Sequence, residues 1–143
     1  MWLLDKVKTH LQGRGPLDHD RTGKPADLEL QAATAVLLLE AAYGDAEYVW
    51  REHRTIVKGL EREFGLGKQE ILAILGRANE IRPPVVKLSD VTDVIRERFD
   101  QAQRAEVVRL VRSVIGADGE VAEWEAAFAE HIAKAVGAEP TRL

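Results

Sequence analysis

The sequence predicts an all-α protein of about seven helices, and three observations predict it. Apolar residues recur at spacings of three and four along most of the chain, whereas no apolar–polar alternation is long enough to make a sheet. Gly and Pro punctuate that pattern at intervals that suit short inter-helix turns. One acidic pattern is also written twice at predicted helix junctions: Asp45-Ala46-Glu47 followed by Glu52, and Asp118-Gly119-Glu120 followed by Glu125, with a constant offset of 73 residues. The flanks repeat too, since Leu37-Leu38 matches Leu110-Val111 and Phe64-Gly65 resembles Val136-Gly137 after a one-residue gap. Two pseudo-symmetric helical hairpins are the simplest explanation.

The elements follow in order. Trp2, Leu3, Val7 and Leu11 share a face of an opening amphipathic segment, Trp2–Leu11, suited to docking on the core or on a partner. Gly13, Gly15, Pro16, Gly23 and Pro25 then punctuate a charged stretch that reads as a mobile connector. The second helix, Leu28–Tyr43, is apolar nearly all round in its second half and should lie at the centre of the bundle. The third, Trp50–Phe64, spaces Trp50, His53, Val57, Leu60 and Phe64 by threes and fours, and Gly65 closes it. The fourth, Lys68–Ile81, carries Ile71, Leu72, Leu75 and Ala78 before Pro83-Pro84 ends it. Ser89 is the expected N-cap of a fifth, Asp90–Phe99, and Asp100 caps a sixth with Val107, Val108, Val111, Val114 and Ile115 on its apolar face. The seventh, Ala122–Val136, spaces Trp124, Phe128, Ile132 and Val136 by four. The expected organisation is an N-terminal helix and connector over 1–26, a helical domain over 27–138 and a loose tail over 139–143.

Composition narrows the chemistry. A chain of 143 residues can bury about two-thirds of its unfolded surface, so one domain needs no covalent staple. The absence of cysteine removes disulfides, Cys-based zinc sites, iron–sulfur clusters and a thiol nucleophile, and fits a reducing compartment. A net charge of −4 argues against phosphate-backbone binding, so nucleic acid is not an expected partner. Met1-Trp2-Leu3-Leu4 is too short for a signal peptide, and the apolar run from Ala32 to Tyr43 is well below the roughly 20 residues of a membrane span. A soluble, cytoplasmic protein with no membrane insertion is expected.

The acidic turns carry the main chemical hypothesis. Asp and Glu two residues apart in a tight turn, with a Glu in the next helix, can converge three carboxylates on one point. Hard oxygen ligands of this kind suit a divalent cation: calcium, magnesium or manganese rather than zinc. Asp45, Glu47, Glu52, Asp118, Glu120 and Glu125 are the candidate metal ligands. The opposing reading is structural: Glu52 and Glu125 sit early in helices, where the positive end of the dipole favours a carboxylate, and Asp45 and Asp118 can organise turns. Glu40, the only charge in the apolar run from Ala32 to Tyr43, requires a partner such as a metal, an amide or an Arg.

Other candidates are weaker. His53 reads as a core-edge residue, because its counterpart at the 73-residue offset is Ala126, and Asp18-His19-Asp20 reads as solvated loop. The Arg residues at 96, 98, 104, 109 and 112 alternate with acids, as on a salt-bridged surface, and Trp50 and Trp124 read as core anchors. With no Cys, G-x-S-x-G, phosphate loop or H-E-x-x-H, catalysis has little support.

Leu39-Glu40-Ala41-Ala42, the first acidic turn with Glu52, Arg98-Phe99-Asp100, and Ile115-Gly116-Ala117-Asp118-Gly119-Glu120-Val121 with Glu125 together resemble the TerB-like family, named for bacterial tellurite-resistance proteins, over about Leu28 to Gly137. The resemblance implies an all-helical, internally pseudo-symmetric fold with a metal site at the two acidic turns. It also implies a link to stress assemblies, some membrane-associated, without an assigned enzymatic activity. The chain departs from the family pattern at Ala46, where Gly is usual, and at Val49 and Ala122, where a capping residue is frequent. The expected function is thus a non-enzymatic, metal-binding domain that orders a protein-interaction surface. The alternatives are a metal-independent interaction module and a metal-dependent hydrolase.

Overall fold

A computed structural model of the chain describes residues 15–43, 50–118 and 123–138, apart from the side chains at 50, 51 and 118. Six α-helices follow one another in these residues: α1 (Leu28–Tyr43), α2 (Trp50–Phe64), α3 (Lys68–Ile81), α4 (Leu88–Arg98), α5 (Gln101–Ile115) and α6 (Glu123–Ala135). A 3-10 turn, Gly116–Asp118, follows α5. Among the described residues the one extended pairing is an isolated bridge between His19 and Pro25. The class is therefore all-α, with six helices described; the opening segment Trp2–Leu11 and the tail 139–143 lie outside the described residues.

The central position expected for Leu28–Tyr43 is the one it occupies. All five other helices pack against α1, and Leu30, Ala32 to Leu39, Ala41 and Ala42 are buried. Each fully buried Leu or Val side chain there contributes about 1.5–3 kcal/mol. Thr34, wholly buried, donates its hydroxyl to the Leu30 carbonyl at 3.0 Å, so the one polar side chain in that stretch keeps a partner.

Local signals set most helix ends. Asp100 and Gln103 form a reciprocal capping box at the start of α5, with Gln103 N donating to Asp100 Oδ1 at 2.8 Å and Asp100 N donating to Gln103 Oε1 at 3.0 Å. Gly137, at φ +72°, closes α6 with Ala138 N donating to Ala133 O and Gly137 N to Lys134 O. Ser89 is not the cap of α4: the helix begins two residues earlier than expected, at Leu88, and its N-cap is Lys87. The half-buried Leu88 packs against the core, and that apolar contact draws position 88 into the helix.

Residues 15–26 are held against the bundle, unlike the mobile connector that their Gly and Pro content suggests. Leu17 is fully buried, and its N–H donates to the Glu63 carbonyl at 2.9 Å. Gly15 lies so close to the end of α2 that an added Cβ would stand 1.9 Å from the Glu63 carbonyl oxygen. Gln103 donates from its amide to Pro16 O at 3.2 Å and His19 O at 2.6 Å, tying the same stretch to α5. Its backbone groups have partners at long sequence range, which composition does not register.

Candidate interaction groove

The six candidate ligands do not come together as one described cluster. Glu52 lies in the first turn of α2 and Glu125 in the first turn of α6, only 6% and 5% exposed, and neither lacks a partner. Asp45, Glu47 and Glu120 lie outside the described residues, as does the side chain of Asp118, whose backbone ends the 3-10 turn. Among the described residues no group of three or more His, Asp or Glu side chains could hold a metal ion. This overturns the expectation of a metal-binding function and of a calcium, magnesium or manganese cofactor. The physical reason lies in the two glutamates that are seen: burial and engagement at helix N-termini let their carboxylates be satisfied without a cation.

Glu40 is satisfied by an arginine. Arg82, just beyond α3, reaches its Oε2 with Nη2 at 2.5 Å and Nε at 3.2 Å, while the guanidinium lies 4.3 Å from the centre of the Tyr43 ring. The pair fastens the end of α1 to the end of α3, and a cation–π contact adds to it. His53 is half-buried and engaged, in keeping with a core-edge role, and Trp124 is half-buried. Asp20 departs from the solvated-loop reading. It is 7% exposed and accepts from Thr22 N, Thr22 Oγ1 and Lys24 N at 2.8, 2.6 and 3.1 Å.

Asp20 and its neighbours form a charged clasp around Arg98. The guanidinium donates to both oxygens of Asp27 at 3.1 Å, with Asp20 at 3.7 Å and Glu29 at 3.6 Å. Asp27 also caps α1 by accepting from Leu30 N at 3.0 Å. These contacts hold the Asp27 carboxyl below the usual carboxylate range, chiefly through the Arg98 hydrogen bond, and raise the guanidinium of Arg98 in turn. Asp20 is lowered chiefly by the Thr22 hydroxyl. Three carboxylates thus share one guanidinium at the N-terminus of α1.

Beside this clasp an apolar groove of about 390 Å³ opens between the first half of α1, the end of α3 and α4. Ala32 and Val91 form its buried floor, Ile81, Val86 and Val94 are half-buried along its walls, and Leu28 stands 47% exposed at its mouth. Glu29, Arg77 and Asp90 edge it. Leu28 and Ala32 lie one turn apart on the first half of α1, and α3 stops at Ile81 before Pro83-Pro84. The stripe from Leu28 to Ala32 is therefore only partly covered. The available sequence signal was Leu28 beginning an apolar helix, but periodicity does not say which neighbour stops short. A second cleft, about 320 Å³ between α2 and α5, is lined by Arg62, Glu106, Arg109, Leu110 and Ser113.

No helix among the described residues is long and apolar enough to cross a membrane. The family described as tellurite resistance protein TerB matches residues 31–143. A crystal structure of a Porphyromonas gingivalis W83 protein of unknown function superposes with a TM-score of 0.67 at 16% identity, covering 81% of this chain and 83% of that one. That similarity is one of fold. No curated protein matches the chain.

Proposed function

The chain belongs to the TerB family, and from that premise we propose that it is a non-enzymatic, metal-independent protein-interaction module. The observation that carries this reading is the open apolar groove between α1, α3 and α4, in a domain whose other large apolar side chains are mostly buried. A concave apolar surface with charges at its edge is suited to capturing an apolar side chain or helix face from a partner. An internal duplication underlies the domain on this reading, supported by the 73-residue recurrence and by the burial of Glu52 and Glu125 in matching first turns. The helical domain extends over 27–138, with residues 15–26 strapped to it, and a cysteine-free chain suits the cytoplasm.

The test is selection of peptides from an unbiased display library against chelator-stripped protein. Peptides that bind with and without chelator, and lose about tenfold or more in affinity on Val94→Asp, support the module. No selected binder, or binding that needs added metal, would sink it.

A further inference from the structure

We propose that the groove between α1, α3 and α4 takes a basic amphipathic helix from a partner protein, read by apolar anchors below and carboxylates above; this rests on the interaction-module reading. The apolar half of the argument is the groove itself. Ala32 and Val91 are short enough at the floor to leave depth, and Leu28, Ile81, Val86 and Val94 offer aliphatic walls to side chains one helical turn apart.

The edge charges select the sign of the partner. Arg77 is engaged with Glu80 at 3.1 Å, so that pair leaves no net charge. Arg96 is matched by Asp93 at 3.2 Å on α4. Arg98 is outnumbered by Asp20, Asp27 and Glu29, and Glu29 itself edges the groove, 70% exposed. Across the opening, Asp90 has no ion-pair partner among the described residues. Lys87, at the N-cap of α4, is the cation nearest to it in sequence and offsets only part of this excess. The mouth thus presents carboxylates on two opposed helices, α1 and α4, with Arg77, Arg96 and Arg98 already committed and Lys87 offsetting only part of their charge. A Lys or Arg flanking an apolar anchor gains attraction at both edges, whereas an acidic flank meets repulsion.

Three synthetic helices with one apolar face and Lys, Gln or Glu on the flanking positions test this by titration against the full chain. The Lys helix should bind about threefold to tenfold tighter than the Gln helix at low salt, and the Glu helix weakest. The preference should shrink in molar salt, where the Debye length is about 3 Å, and in the Glu29→Gln/Asp90→Asn variant. Equal binding of all three, lost on Val94→Asp, would overturn the basic-partner proposal while leaving the module standing. No binding by any helix would fail the module itself. Self-association of the chain abolished by Leu28→Asp would assign the groove to a second copy and overturn the proposal.

Discussion

The two flanks of α1 use similar residues to opposite ends. On one, the stretch from Gly15 to Asp27 is closed down by Leu17, Gln103 and Arg98, each reaching across the sequence to a backbone or carboxylate partner. On the other, Leu28, Ile81, Val86 and Val94 leave an apolar groove uncovered. The difference teaches that this fold seals a face where polar groups find specific partners over a buried anchor. Where short aliphatic walls diverge, it leaves one open.

Substitutions sharpen the contrast. The largest difference is expected between Leu17→Ala and Leu28→Ala. Removing the fully buried Leu17 should cost about 2–5 kcal/mol in denaturant unfolding, whereas truncating the half-exposed Leu28 should cost less than about 1 kcal/mol. Equal costs would mean that the strap and the groove mouth are not different environments. Next, Gln103→Ala should cost about 1–3 kcal/mol, because it removes half of the capping box and the donor to Pro16 O and His19 O. A neutral result would show that Leu17 and Arg98 hold the strap without Gln103.

Acid should loosen the sealed flank first. Asp20 and Asp27 have folded-state values below the unfolded carboxylate value of about 3.9. Their contribution is complete above that value and is lost as pH falls through the lowered folded values. The melting temperature should therefore fall below about pH 4, and Asp27→Asn should flatten part of that fall. A variant that keeps the full wild-type pH profile would remove Asp27 from the account. The smallest effect concerns metal. Calcium, magnesium, manganese or zinc added to stripped protein should leave the melting temperature unchanged, and a saturable rise for one ion would contradict metal independence.

Much of this was legible before any coordinates. The periodicities placed α1, α2 and α3 at their observed bounds, and Asp100, Gly65 and Gly137 marked helix ends that they do mark. Glu40 announced that it needed a partner, but the choice among metal, amide and arginine was not a local matter, since Arg82 lies 42 residues away. The acidic repeat suggested a ligand set because spacing alone does not reveal burial; Glu52 and Glu125 are turned into the protein and engaged there.

The sequence by itself determined the class, the central helix and most caps, because 3.6-residue periodicity and capping hydrogen bonds act over a few neighbouring residues. Tertiary structure alone decided that Gln103 would reach His19 across 84 residues, that Arg98 would gather three carboxylates, and that the Leu28–Ala32 stripe would stay partly open. Those outcomes depend on which helix faces meet and where each one ends in space, and contacts between distant segments leave no periodic trace in the chain.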